Sequence, residues 1–162
     1  MAIDAYLQID GIKGESADSA HRDWIEMASV HMGVAQPRSS TVSTSGGHTS
    51  GHSEHRTLTF SKLVDLASPI LMQHCSTGKT IPKAKLEFMR ADGDGKPVKY
   101  YMVELENIML AHMDQSMGDG GLHDEIGLCF SKVKWTYTQQ KIGGGAGGST
   151  AGGWDLAAKK TL

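Results

Sequence analysis

Cysteine and proline are scarce in this chain, with two and four copies in 162 residues. Cys75 and Cys129 match no zinc-ligand or redox spacing. One falls in a helical stripe and the other in an apolar strand run, so both read as buried free thiols. No apolar run approaches the ~20 residues a membrane helix needs. The opening MAIDAYLQIDGIKGES has neither a basic n-region nor a continuous apolar h-region, which argues against a Sec-type signal peptide. Positive charge is not in excess: 16 Lys and Arg stand against 18 Asp and Glu, a net charge of -2. That balance leaves no basic footprint for nucleic acid. The signatures GxSxG, HExxH, CxxC and the Walker loop do not occur.

What is present is ordinary for a soluble globular chain: 39% hydrophobic and 21% charged residues. The length favours a single domain over residues 1–162. The one stretch that turns from strand to helix is LTFSKLVDLASPILMQHCSTG, Leu58 to Gly78. Leu58 and Phe60 alternate with Thr57, Thr59 and Ser61, the period of a half-buried strand. Ser68 then suits an N-cap and Pro69 the first helical position, where no N–H is needed. Ile70, Leu71, His74 and Cys75 share one helical face, and Gly78 suits a left-handed stop. A helix over about Ser68 to Thr77 is expected. A lone helix this short is marginal alone and must dock on a sheet.

The remainder reads as strands. Residues 2–10 alternate, with Ile3, Ala5, Leu7 and Ile9 on one face and Asp4, Tyr6, Gln8 and Asp10 on the other. Asp10-Gly11 opens a turn, and the polar run to Asp23 reads as solvated. Trp24 to Gln36 is apolar on both parities, so cover on both faces is expected, from the helix or from another subunit. Thr80 to Arg90 is a strand, and ADGDGKP, Ala91 to Pro97, is a hairpin turn. Its Asp92, Asp94 and Gly95 only begin a calcium loop; the rest of the ligand ladder is missing. Val98 to Met113 and Leu122 to Gln140 each slip phase at mid-length, the first near Asn107. Such slips mark strands that bend from one sheet into another. DQSMGDGG, Asp114 to Gly121, is expected as the loop between them.

Two segments are low in complexity. Residues 37–56 form a polar loop holding His48, His52 and His55, without the fixed carboxylate geometry a metal site needs. The tail carries a glycine-rich stretch, Gly143 to Gly153, expected as a flexible crossing before Trp154 and Leu156 dock back. Its GGGAGG lacks the Lys-Ser/Thr end of a phosphate loop. Glu104 and Glu106 share a strand face and read as surface charge, and Met109, Met113 and Met117 as filling. No catalytic, cofactor-binding or metal residue is assigned, which favours binding or assembly over an enzyme.

Taken in order, YLQIDGIKGES, FSKLVDLASPILMQHCSTGK, LENIML, KVKWTYTQQK and TAGGWDL make the chain resemble the Hcp family, the haemolysin-coregulated proteins of type VI secretion systems. The resemblance covers nearly the whole chain. It implies two antiparallel sheets forming a compact β-barrel with one flanking helix. It implies hexameric rings that stack into an inner tube driven by a contractile sheath, capped by a spike protein and released without a cleaved signal peptide. Effector proteins are expected as cargo of the ring lumen. Some family members carry toxin extensions; with the family core reaching nearly to Leu162, none is expected in this sequence. The 37–56 loop is the expected ring-to-ring contact. The alternative is a binding module or chaperone for secreted effectors that builds no tube.

Overall fold

The computed structural model describes residues 3–37 and 51–162. Its strands, in chain order, are β1 (Ile3–Ile9), β2 (Ile25–Met27), β3 (Ser29–His31), β4 (Val34–Ala35), β5 (Glu54–His55), β6 (Leu58–Leu63), β7 (Ile81–Ala91), β8 (Pro97–Gly118), β9 (Gly121–Cys129), β10 (Lys132–Gln140), β11 (Ala146–Asp155) and β12 (Lys160–Thr161). Between β6 and β7 lies the helix α1 (Ser68–Thr77). Every pairing is antiparallel.

The strands make two large sheets that share β8. The first runs β12-β11-β10-β8-β7-β1-β2 and uses the first half of β8; the second runs β3-β6-β9-β8 and uses its second half. β4 and β5 form a separate two-stranded ribbon. The two sheets close on one apolar core. Leu7, Leu86, Val103 and Leu105 enter from the first sheet, and Leu58, Phe60, Ile126 and Leu128 from the second, all essentially without solvent contact. Each such side chain contributes about 1.5–3 kcal/mol of burial.

The expected phase slip at Asn107 is where β8 changes sheets. Asn107 has φ 53, a left-handed backbone that turns the buried parity from Val103 and Leu105 to Ile108 and Leu110. Asn tolerates that region better than most residues. The second slip is a full corner: β9 ends at Cys129 and β10 starts at Lys132, one strand in each sheet. The corners are bolted together. Asn107 Nδ2 donates to Ser131 Oγ at 2.9 Å, and the Ser131 N–H donates to the Glu106 carbonyl at 3.0 Å.

α1 matches the expected span, with Pro69 in its first turn and Gly78 at φ 69, whose N–H returns to the His74 carbonyl. Its cap differs. Ala67 holds the N-cap position, and the Ser68 hydroxyl is engaged by Lys62 and Asp124 instead. An ionic partner outcompetes a helix amide for the same oxygen. The inward stripe is Ala67, Ser68, Leu71 and the half-buried Cys75, whereas Ile70 is exposed.

Three other expectations need correction. Asp114 to Gly121 is no loop. β8 runs on to Gly118 and β9 starts at Gly121, so only Asp119 and Gly120 turn. Residues 24–36 are three short strands, because the chain passes from the first sheet to the second at the Ala28 N–H to Ser61 carbonyl bond. The glycine-rich tail is not a crossing: Ala146–Asp155 is a strand paired with β10 from Lys132↔Asp155 to Gln140↔Ala146. The free side of β10 supplies a template that glycine follows without steric cost. Gly143, Gly144 and Gly145, all at positive φ, make the turn before it. Trp154 and Leu156 do pack back on the core.

Candidate functional site

Alternation places a charged face on the outside of the first sheet. Lys83 and Lys85 of β7 pair across to Glu106 and Glu104 of β8, which pair in turn to Lys132 and Lys134 of β10. Glu104 and Glu106, read from the sequence as surface charge, thus lie between two lysine columns. The Lys132 Nζ to Glu106 Oε2 distance is 3.9 Å. Such exposed ladders are worth little individually. The outer face of the second sheet is different in kind. Ser29 pairs with Ser61 and Ser61 with Glu125; His31 pairs with Thr59 and Thr59 with Gly127. It mixes hydroxyls and a glycine with His31 and Glu125.

Two buried polar clusters hold these surfaces. Lys62 is fully buried, and its Nζ donates to Asp124 Oδ2 at 2.7 Å, Asp65 Oδ1 at 2.8 Å and Ser68 Oγ at 2.8 Å. Asp124 also accepts from Ser68 and from Gln115 Nε2 at 2.9 Å. Burial pushes the Asp124 carboxyl up, but the bonds from Lys62, Ser68 and Gln115 and the Lys62 charge outweigh it, so its pKa lies below the ordinary value. β6, β8, β9 and the start of α1 meet at this point. Ser68 and Lys62 approach as a hydroxyl and its base would in a nucleophilic site, yet both are sealed in the interior.

The second cluster was hidden in the polar run read as solvated. His21 is buried, with Nδ1 2.6 Å from Asp18 Oδ2 and Nε2 2.7 Å from Glu87 Oε2. Its ring stacks on Tyr6 at 4.2 Å and meets the edge of Trp24 at 4.7 Å. Asp18 is held below the usual carboxylate range, first by the His21 hydrogen bond. The cluster clasps the 10–24 segment to β1 and β7. No periodicity marks it; the only signal is a His flanked by an acid three residues earlier.

A third feature is an aromatic cleft. His55 stacks on Trp135 at 6.1 Å and turns an edge to Phe130, beside Val34, Trp154, Leu156 and Lys159. Desolvation lowers the His55 pKa. His48 lies outside the described residues. Among those described, no three His, Cys, Asp or Glu side chains group as a metal site, and no helix is long and apolar enough to cross a membrane. Cys75 and Cys129 are free and half-buried. The turn at 91–97 is capped by Asp92, whose Oδ1 accepts from the Asp94 and Lys96 N–H groups, with Gly95 at φ 79.

The most organised polar clusters, Lys62–Asp124–Ser68 and His21–Asp18–Glu87, are interior. The family described as "Type VI secretion system effector, Hcp" matches residues 6–137. "Protein hcp1" of Pseudomonas aeruginosa is 32% identical over 159 residues, covering 96% of each chain. The crystal structure of Hcp1 from Salmonella typhimurium is 30% identical with a TM-score of 0.80, and each chain is covered fully. A structure described as that of a type six secretion system protein gives a TM-score of 0.90 at 25% identity, covering 99% of this chain and 100% of its own. The chain belongs to the Hcp family of type VI secretion proteins.

Proposed function

We propose that this chain is the structural subunit of a type VI inner tube: six copies close into a ring, rings stack, and the tube is exported with effector proteins in its lumen. The observation that carries the reading is the match to Hcp proteins across the whole fold. Ring closure needs heterologous contacts between two different faces of each copy, and the molecule has faces of contrasting chemistry. The partners are other copies, a spike protein, sheath and baseplate components, and cargo effectors. No nucleic acid, membrane insertion, cofactor or catalysis enters. The protein assembles in the cytoplasm and is then released without a cleaved signal peptide. The 37–56 segment, of which residues 38–50 lie outside the described residues, makes the ring-to-ring contact. The test is export. In cells with an intact sheath, a tagged copy accumulates in the medium; in sheath-deficient cells it stays inside. Equal release from both would overturn the reading.

A further inference from the structure

The cleft beside the β4–β5 ribbon is built like a small-molecule site. Its volume is ≈ 500 Å³, inside the range of about 300–1,000 Å³ that ligand pockets occupy. Register places its aromatic wall. Val133 pairs with Trp154 and Trp135 with Gly152, so both indoles stand on the inner face of β10 and β11, and both are only half-buried. No side chain stands opposite Trp135, and a Cβ on Gly152 would meet no atom within 4 Å. The indole is thus left open where a packed sheet would cover it. The facing wall is the ribbon, with Val34 53% exposed and His55 stacked on Trp135. The far end of the ribbon is fixed: Gln36 Nε2 donates to the Pro37 and Gly51 carbonyls, and the Gly51 N–H donates to the Pro37 carbonyl at 2.9 Å.

Charge around the cleft has one sign. Among the described residues no Asp or Glu lines it, and Lys159 does. Burial lowers the His55 pKa, so that imidazole is uncharged near neutrality and Lys159 supplies the charge. Lys159 enters none of the ion pairs among the described residues. Its backbone sits at φ 57, a region a lysine seldom adopts. The turn that holds it is tied down: Asp155 Oδ1 accepts from the Ala157 and Ala158 N–H groups, and the Lys159 N–H donates to the Asp155 carbonyl at 2.8 Å. Glycine would make the same turn without strain. Strained backbone of this kind gathers at ligand-binding sites, and here it sets an ammonium at the rim of an aromatic cleft.

We propose that the cleft binds a small planar aromatic acid, its ring against Trp135 and Trp154 and its carboxylate on the Lys159 ammonium. The ring covers indole surface that otherwise faces water, and flat aromatic contacts of this kind add to plain apolar burial. The carboxylate gives Lys159 the counter-charge it lacks within the cleft, in a charge-assisted hydrogen bond. An aromatic amine would meet like charge there. All the residues come from one copy, so the site does not depend on ring closure.

The test is calorimetric titration of the full chain with 2-naphthoate at one protein concentration, beside 2-naphthylmethanol and cyclohexanecarboxylate. The parent should bind one naphthoate per chain, saturating by ~1 mM, and prefer it to both other compounds. Lys159→Met should weaken naphthoate about tenfold, the worth of one charge-assisted hydrogen bond, and leave the alcohol unchanged. Lys159→Gly should bind as weakly while melting no lower than the parent, since glycine relieves the turn at φ 57. Trp135→Leu should lose saturable binding, and Lys134→Met, on the outer face of the same strand, should keep it. A parent that does not saturate, or that binds either comparison compound as tightly as naphthoate, would overturn the assignment. So would Lys159 variants that bind naphthoate as tightly as the parent, or a folded Trp135→Leu that still binds it.

Discussion

Replacing Lys62 with Met should destabilise the protein far more than a typical surface change. Lys62 has no solvent contact and makes three bonds to Asp65, Ser68 and Asp124. Methionine fills the volume of the lysine stem but carries no charge. Asp124, itself fully buried, then keeps only Ser68 and Gln115. Removing one member of a buried pair costs about 3–5 kcal/mol, because the other charge stays uncompensated. For a chain of this size each kcal/mol moves Tm by about 2–4 °C, so a drop of roughly 6–20 °C is expected. The companion Lys62→Met/Asp124→Leu removes both charges. It should recover much of the loss, with a coupling of about 1–3 kcal/mol between the two sites. Tm and urea midpoints are measured at one fixed protomer concentration, since assembly also shifts stability. A Lys62→Met variant within about 1 kcal/mol of the parent would refute the reasoning, as would a double variant that loses the full sum of the singles.

Further outcomes follow from other positions. Asp18, Asp124 and Asp155 all have folded pKa values below the ordinary one. Groups depressed on folding contribute fully above the unfolded carboxylate pKa of about 3.9 and lose that contribution as pH falls through their folded values. Stability should therefore be flat in these groups near neutrality and fall in acid, and Asp124→Asn should flatten the slope in a pH series of urea midpoints. Asn107→Gly should cost under about 1 kcal/mol, while Asn107→Val, forced into positive φ, should cost about 2 kcal/mol or more, read by thermal melts. Gly14→Ala should destabilise by at least about 2 kcal/mol, since its Cβ would press on the Trp24 backbone, 2.7 Å from the carbonyl carbon. Deleting residues 40–54, most of which lie outside the described residues, should leave rings intact and abolish tubes and export in a tube-assembly and secretion assay; normal tubes would exclude the loop as the stacking contact.

What could be read in the sequence depended on how local the cause was. Pro69 and Gly78 bound the helix through their own backbone constraints, so its span was legible. The slips at Asn107 and after Phe130 were legible because alternation records which face is buried, and a bend must break it. The His21 clasp was not. Its partners Tyr6 and Glu87 are distant in sequence, and a polar loop carries no period. Lys62 was only half legible: alternation puts it on the buried face with Leu58 and Phe60, but its counter-charge, Asp124, arrives from β9, distant in sequence. The tail misled for the opposite reason. Glycine has no side chain to show a strand period, and only the open side of β10 makes Ala146–Asp155 a strand. The apolar 24–36 run was legible as a strand region but not as three strands, because composition shows that both faces are covered but not that the chain changes sheets.

The central claim is assembly. Light scattering on the purified chain after size exclusion, with negative-stain images of the same peak, tests it most directly. The account predicts a mass about six times the 17.4 kDa of the chain and ring-shaped particles. A mass that stays at 17.4 kDa across a wide concentration range, with no rings in the images, would contradict it.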